Sequence, residues 1–255
     1  MRGLNSHRLA ASQGTAIGNA VGRPHEIFIE SGVTCITQGY NTVFAVNSDA
    51  TYHSIRTDDS IDFYLGTDKW TFECYVYIPS GGNSYGLTRF LTLWKTGGQE
   101  LFLMNWTGTQ ITFLNVDSGV GDYYSYTGNS WLHVAFTRSG STLRFYVNGN
   151  LINTDTIADN YTGTHIDLFG IYGEQDPYPD DFKTTYWVDD IRLTKNELVY
   201  TGGSFTPPPR QTIYNTANTM VFLSNCSSID DTTTGSQEVV IAPGYAPAGY
   251  VTIDL

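Results

Sequence analysis

The clearest local signal in this sequence is the run Ser141-Thr142-Leu143-Arg144-Phe145-Tyr146-Val147-Asn148-Gly149-Asn150-Leu151-Ile152. Leu143, Phe145 and Val147 alternate with other residues, so a strand places these three side chains on one face. Asn148-Gly149 is a favoured pair for a two-residue type I′ turn, because both central residues of that turn need a positive φ. The run therefore predicts a β-hairpin.

Short strands of the same kind are predicted along most of the chain. Residues 129–138 form the strand that precedes the hairpin and pairs with it through Ser139-Gly140. The other predicted strands are Glu26–Glu30, Val33–Ile36, Thr42–Val46, Ile61–Leu65, Trp70–Ile78, Arg89–Trp94, Leu101–Trp106, Gln110–Val116, Ile166–Tyr172, Tyr186–Leu193 and Met220–Leu223. A single open sheet of this many strands would leave an aromatic face in water. The strands are therefore predicted to form two packed sheets. We predict an all-β fold, a two-sheet antiparallel jelly-roll sandwich.

Composition excludes some partners. The chain has 255 residues, 14% of them aromatic and only 15% charged, which suits strands and turns. A net charge of -12, with 13 unclustered basic residues, predicts no nucleic-acid binding. No run approaches the roughly 20 apolar residues of a membrane span, and residues 1–20 lack the apolar segment of a signal peptide. We expect no membrane insertion and no export signal.

The ends of the chain differ from its middle. Residues 1–25 are small and polar and are predicted to be a docking arm, residues 26–225 the sandwich, and residues 226–255 a C-terminal tail. The cysteines, Cys35, Cys74 and Cys226, are odd in number and lack metal-site spacing, so we expect reduced thiols made in a cytoplasm. Strand alternation predicts that Cys74 is a small core residue.

Three segments resemble a known family. Residues 63–77 resemble the early strand of concanavalin A-like, laminin-G-type jelly rolls. Residues 131–138, followed by 143–149, resemble that family's strand and hairpin pair. Residues 187–195, continued by 200–208, resemble the ending of this domain in bacteriophage structural proteins. Together these segments support the concanavalin A-like sandwich predicted from the strand pattern.

The resemblance implies a non-catalytic bacteriophage virion structural protein, either a capsid decoration or a tail or fibre component, that displays a lectin-like jelly roll. Such a protein is made in the host cytoplasm and located in the virion. Its expected partners are other virion proteins and further copies of itself. The alternative is a carbohydrate-binding adhesin domain that recognises a host surface glycan.

No catalytic site is predicted. Some jelly rolls of this superfamily hydrolyse β-glucans with a Glu-x-Asp-x-x-Glu pattern on one strand, and that pattern is absent here. Glu73 is the single acid of its strand, where we expect it to face solvent or bond to a loop, and Asp189 and Asp190 are predicted to point to opposite faces. His133 is predicted to have a structural role, satisfying a buried backbone or carboxylate group. We therefore predict that the protein is not an enzyme.

Two kinds of ligand site are considered. Asp176, Asp180 and Asp181 lie in an acidic loop with Glu174, which is interpreted either as solvated or as a calcium site, because the family often binds Ca²⁺ at the sandwich rim. No other cofactor is expected. Tyrosines in or next to predicted loops either stack on sugar rings or cover sheet surfaces and make subunit contacts. The candidates for glycan binding are Tyr123, Tyr124, Tyr126, Tyr172 and Tyr178.

Overall fold

The computed structural model describes residues 7–9, 27–29, 33–38, 41–46, 55–57, 63–79, 88–95, 98–106, 110–115, 121–163, 165–168, 186–210, 219–224, 236–241 and 253–254. The strands are β1 (His7–Leu9), β2 (Ile27–Ile29), β3 (Val33–Gln38), β4 (Asn41–Val46), β5 (Ile55–Thr57), β6 (Trp70–Tyr77), β7 (Thr88–Lys95), β8 (Gly98–Trp106), β9 (Gln110–Asn115), β10 (Gly121–Ser125), β11 (Trp131–Ser139), β12 (Thr142–Val147), β13 (Asn150–Thr156), β14 (His165–Leu168), β15 (Tyr186–Lys195), β16 (Thr219–Ser224), β17 (Ser236–Ile241) and β18 (Ile253–Asp254).

The strands form two sheets. The first has the order β1-β2-β5-β14-β7-β8-β9-β10, and the second has the order β13-β12-β11-β6-β15-β16-β17-β18. Strand β4 also pairs with β15, and β3 pairs with β4. Every pairing between these strands is antiparallel. The predicted all-β, two-sheet antiparallel sandwich is confirmed.

One apolar core lies between the sheets. Phe72, Cys74 and Val76 of β6 are fully buried in it, together with residues of the first sheet such as Leu93 and Ile111. The prediction that Cys74 is a core residue is therefore confirmed. Burial of this apolar surface is the main force that holds the two sheets together.

The predicted hairpin is present as β12 and β13. Its turn residues Asn148 and Gly149 have φ values of +50° and +76°, as a type I′ turn requires. Phe145 of β12 stacks on Phe136 of β11, with ring centroids 4.7 Å apart, which fixes the hairpin against its neighbour inside the core. Local sequence alone was sufficient to place this hairpin.

Two local predictions need correction. Residues 63–65 of the predicted strand Ile61–Leu65 are not a strand, although Phe63 and Leu65 are buried in the core. Residues 121–125 were predicted as loop, but they form strand β10. Each of them pairs with a residue of β9, from Leu114 to Gln110. Tertiary pairing decided both cases, since neither segment has a strong strand pattern of its own.

Strands also occur near both chain ends. His7–Leu9, within the predicted arm, pairs with β2, and Ser236–Ile241, within the predicted tail, pairs with β16. The division into arm, sandwich and tail stays a prediction. Within the described residues, no helix is long and apolar enough to cross a membrane.

Candidate functional site

The outer face of the second sheet carries a buried polar cluster around Glu73. Glu73 points away from the core, yet its side chain is fully buried. Its Oε1 accepts a hydrogen bond from Arg192 Nε at 2.6 Å and also contacts Arg192 Nη2. Its Oε2 accepts one from the Tyr200 hydroxyl at 2.6 Å and lies 2.9 Å from His133 Nε2. The carboxylate is therefore bonded on both oxygens and closed to solvent.

A segment that we call the crossing segment, residues 196–210, covers this cluster. It contains Tyr200, and the Tyr75 and Tyr146 hydroxyls donate to its carbonyl oxygens, at Pro208 and, at 2.8 Å, at Gly202. It is also tied to the hairpin turn, because the Phe205 amide donates to the Gly149 carbonyl at 2.8 Å. These bonds hold the segment across β12, β11 and β6.

Sequence reasoning was partly right about this cluster. The predicted structural role of His133 agrees with the geometry, since its ring bonds a buried carboxylate. The expectation that Glu73 bonds to a loop is confirmed through Tyr200, but the alternative that it faces solvent is wrong. A strand pattern identifies only the side opposite the core, and it cannot show that a later segment covers that side.

The cluster sets the ionisation of Glu73. Burial alone would raise the pKa of this carboxyl, but the hydrogen bond to His133 and the charge of Arg192 outweigh it and hold the pKa below its ordinary value. Since an ionised Glu73 offsets the buried positive charge of Arg192, the pair is electrically balanced. The arrangement stabilises the fold and presents no accessible acid to a substrate.

Asp189 and Asp190 lie at a bulge in β15. The register with β6 shifts between Asp189 and Arg192, and Asp190 has a φ of +51°. Asp189 Oδ2 is 3.6 Å from Arg210 Nε, and the charge of Asp190 adds to burial in raising the pKa of Tyr75 to about 12. The regular alternation behind the prediction of opposite faces is interrupted here, and both aspartates are buried.

A row of rings lies beside the crossing segment on the same face. Trp131, Tyr77 and Trp187 are register partners on β11, β6 and β15, and Tyr77 stacks on Trp187 with centroids 4.4 Å apart. The Arg210 guanidinium lies 4.0 Å from the centroid of Trp131. The rings pack on one another, so we assign this row to the structure of the face.

An open pocket of about 400 Å³ lies at the rim, on the other side of β11. It is formed by the end of β10, the segment that leads into β11, and the hairpin turn. Its lining residues are Tyr124, Ser125, Tyr126, Thr127, Ser130, Leu132 and Asn148. The lining is therefore made mainly of tyrosine, serine, threonine and asparagine residues, and the space opens to solvent. This composition suits a ligand that has both apolar faces and hydroxyl groups.

The predicted tyrosines fall into three groups. Tyr124 and Tyr126 line the pocket and pack partly against the core. Tyr123 is outside it, and with 60% of its surface accessible it is the exposed large apolar residue of the described chain. Tyr172 and Tyr178 lie outside the described residues. The structure thus brings two of the five candidates together.

The polar lining of the pocket was not predicted. Ser125, Thr127 and Ser130 are common loop residues without a recognisable pattern, and Asn148 carried a signal only for the turn. Asn148 also has a structural task, because its Oδ1 accepts a hydrogen bond from the His133 amide at 3.0 Å. These residues meet because β10 and the hairpin turn approach each other at the rim.

Two aspartates continue the rim beyond the pocket. Asp122 of β10 lies on the same face as Tyr124, whose register partner Ile111 is in the core. Asp155 of β13 is the register partner of the core residue Leu143, so it also faces inward. The two aspartates therefore point to the same space between the sheets.

The electrostatic environment of Asp155 agrees with this placement. Burial raises the pKa of Asp155, and the charge of Asp122 raises it further. The Asn153 amide donates to Asp155 Oδ1 at 3.2 Å, whereas Asp122 Oδ2 accepts no hydrogen bond from a described residue.

The predicted calcium ligands cannot be placed. Asp176, Asp180 and Asp181 lie outside the described residues, so the calcium site stays a prediction. Among the residues that are described, no group of three or more His, Cys, Asp or Glu side chains has the arrangement of a metal site.

Residues 48–198, which are more than half of the chain, match the model of the concanavalin A-like lectin/glucanases superfamily. The chain belongs to this superfamily. The match contains β6 and the β11–β12–β13 unit, which carry the core and the rim pocket. The resemblance deduced from sequence is thereby confirmed at the level of the family. No curated protein matches the chain.

Solved structures with a similar fold include bacterial toxin domains. The binding domain of Paraclostridial Mosquitocidal Protein 1 is 13% identical, with a TM-score of 0.56 over 74% of this chain and 48% of that one. The binding domain of botulinum neurotoxin DC in complex with SialylT is 16% identical, with a TM-score of 0.54 over 68% and 43%. The receptor binding domain of botulinum neurotoxin mosaic serotype C/D is 18% identical, with a TM-score of 0.53 over 75% and 47%.

At these identities the similarity shows the fold alone. The chain spans less than half the length of each of these solved domains. What the whole toxin domains bind is therefore not assigned to this chain by the comparison.

Proposed function

We propose that this chain is a non-catalytic, lectin-like domain that binds a host surface glycan in the rim pocket. The observation that carries the proposal is the pocket itself, whose lining residues include two tyrosines, two serines, a threonine and an asparagine. Sugars have apolar ring faces and many hydroxyls, so tyrosine stacking and hydroxyl or amide hydrogen bonds suit them. Membership of a superfamily that contains lectins supports the same class of function.

The proposal of a non-catalytic role is supported by the state of Glu73. This carboxylate is the acid of β6 to which the glucanase pattern was compared, and it is buried and bonded to Arg192, Tyr200 and His133. A general acid or nucleophile must reach the scissile bond. We expect the wild-type protein to leave any bound glycan intact, which chromatography of the recovered sugar checks.

A glycan array with wild-type protein and two variants tests the binding site. Tyr126→Ala removes a lining ring and is expected to weaken binding about tenfold, and Tyr124→Phe, which keeps the packing, removes one hydroxyl. Tyr64→Ala is the matched control, because Tyr64 is also half-buried but belongs to the segment that contacts the Gly140 turn, at the other end of β11. Equal losses in the test and control variants would contradict the proposed site.

As a more specific part of this proposal, we place the protein in a bacteriophage virion. This part is supported by the sequence of residues 187–208, which resembles bacteriophage structural proteins. Residues of the same segment also bond to the buried Glu73, so they have a structural role in the fold as well. Immunogold labelling of particles that encode the chain tests the location, and light scattering of the purified protein tests whether it is a homo-oligomer. Absence from particles would leave the adhesin alternative.

A further inference from the structure

Two hydrogen bonds tie Asn148, in the hairpin turn, to the main chain of β11. The Asn148 amide donates to the His133 carbonyl at 2.8 Å, and the His133 amide donates to Asn148 Oδ1 at 3.0 Å. In a regular antiparallel pair the second bond would go to a main-chain carbonyl. Asn148 has a φ of +50°, and its side-chain oxygen takes that place instead. The Asn148 side chain is therefore held in one orientation.

This orientation identifies the free end of the Asn148 side chain. A main-chain N–H can only donate, so the atom that it meets must be the oxygen, and the amino group Nδ2 is the other branch of the planar amide. Within the described part of the chain, Nδ2 donates to no other group. Asn148 is exposed and lines the rim pocket, so Nδ2 is a donor that a ligand in the pocket can use.

The crossing segment holds the hairpin turn from another side. The Phe205 amide donates to the Gly149 carbonyl at 2.8 Å, and the Leu151 amide donates to the Gly203 carbonyl at 3.0 Å. These bonds flank Asn148 in the chain and fix the turn before any ligand arrives. A group that is already fixed loses little conformational freedom on binding, so its hydrogen bond contributes more to affinity.

The other polar side chains of the pocket can both donate and accept hydrogen bonds. They are hydroxyl groups of tyrosine, serine and threonine, which rotate to suit either kind of partner. The Ser130 hydroxyl, for example, donates to the Thr127 carbonyl at 3.4 Å. Nδ2 of Asn148 can only donate, so it favours a ligand that has an acceptor at that place.

We infer that Asn148 is the specificity-determining residue of the rim pocket, and that its Nδ2 donates to an oxygen acceptor of the bound sugar. This acceptor is either a hydroxyl oxygen or the carbonyl oxygen of an acetamido group. The inference rests on the proposed function. It adds the residue that selects the ligand and the chemistry by which it selects.

Three variants separate the donor from the other properties of the turn. Asn148→Gly suits the positive φ and removes the whole amide. Asn148→Asp keeps an oxygen for the His133 amide and tolerates the positive φ, but it has no N–H to donate. Asn150→Gly is the matched control, because Asn150 is also an exposed asparagine of the hairpin but does not line the pocket. Urea denaturation checks that each variant is folded.

The probes come from an array of glycans built from glucose, galactose, mannose and N-acetylglucosamine, with and without sialic acid. The glycan that the wild type binds most tightly is the parent, and its monodeoxy and N-deacetylated derivatives each lack one acceptor. One of these derivatives should bind the wild type about three- to tenfold more weakly than the parent, as expected for one hydrogen bond. A deoxy derivative would identify a hydroxyl oxygen, and the N-deacetylated one an acetamido carbonyl.

Asn148→Gly should lose about three- to tenfold in affinity for the parent and no further affinity for that one derivative, because the bond is already absent. Asn150→Gly should keep the wild-type ratio between parent and derivative. Asn148→Asp should lose as much as Asn148→Gly if the acceptor is a carbonyl. It should lose less if the acceptor is a hydroxyl, since a hydroxyl can turn and donate to the carboxylate.

The outcomes separate this inference from the proposed function. An Asn148→Gly variant that binds the parent as tightly as Asn150→Gly would overturn the inference and leave the rim pocket as a glycan site. Equal weakening of the parent and of every derivative would also overturn it, because a loosened turn affects all of them alike. If the wild type binds no glycan of the array, the proposed function fails, and the inference fails with it.

Discussion

Replacing Glu73 by glutamine tests the buried cluster on the outer face. The variant keeps the side-chain shape but removes the carboxylate that the buried Arg192 guanidinium contacts. Breaking one partner of a buried ion pair typically costs about 3–5 kcal/mol, because the other charge is left uncompensated. Domains of this kind are stable by about 5–15 kcal/mol in total. The variant should therefore lose roughly a fifth or more of its free energy of unfolding.

Urea denaturation followed by circular dichroism measures this loss. With a slope of about 3 kcal/mol per molar urea, the midpoint should fall by about 1 M or more. Asp68→Asn, at an exposed position, should change the stability by no more than about 0.5 kcal/mol. The double variant Glu73→Gln/Arg192→Met should be more stable than Glu73→Gln alone, because the buried positive charge is then absent as well.

Two results would refute this reasoning. A Glu73→Gln midpoint equal to that of Asp68→Asn would show that the buried carboxylate contributes nothing beyond an ordinary surface charge. A double variant no more stable than Glu73→Gln would show that an uncompensated Arg192 is not the source of the loss.

Three further outcomes are expected. Gly149→Ala should lower the free energy of unfolding by at least about 2 kcal/mol, and Gly140→Ala by about 1 kcal/mol. Both glycines have a positive φ, but an added Cβ at Gly149 would lie 2.0 Å from the Phe205 carbonyl oxygen, whereas one at Gly140 would meet nothing within 4 Å. Equal unfolding midpoints for the two variants would contradict this. Burial and the neighbouring Glu73 charge raise the pKa of Cys74, so mass spectrometry should find it unalkylated by iodoacetamide until the protein unfolds. The pKa of Glu73 is lowered in the folded state, so ionised Glu73 stabilises the fold above its ordinary pKa of 4.5, and this stabilisation is lost as the pH falls below that value. The unfolding midpoint should therefore drop between about pH 5 and pH 3, and it should drop less in Glu73→Gln.

The candidate site was only partly predictable. Exposed aromatic residues near loops are a reasonable signal for sugar binding, and this signal selected Tyr124 and Tyr126. It also selected Tyr123, which belongs to the same strand but points the other way. The missed polar residues Ser130 and Asn148 reach the pocket only because distant parts of the chain meet at the rim.

The sequence by itself determined the elements whose causes are local. Alternation placed Phe72 and Cys74 in the core, and the steric demand for positive φ placed the turn at Asn148-Gly149. Such features depend on residues a few positions apart, so their pattern can be recognised along the chain.

Only the tertiary structure decided which outward-facing residues stay in water. Glu73 occupies a position that alternation assigns to the solvent side, and a segment more than 120 residues later in the chain covers it, as the bond to Tyr200 shows. The rim pocket likewise exists because the end of β10, the segment that leads into β11 and the hairpin turn meet there, although they are separate parts of the chain. Burial and proximity of this kind depend on long-range packing, which periodicity within one strand cannot encode.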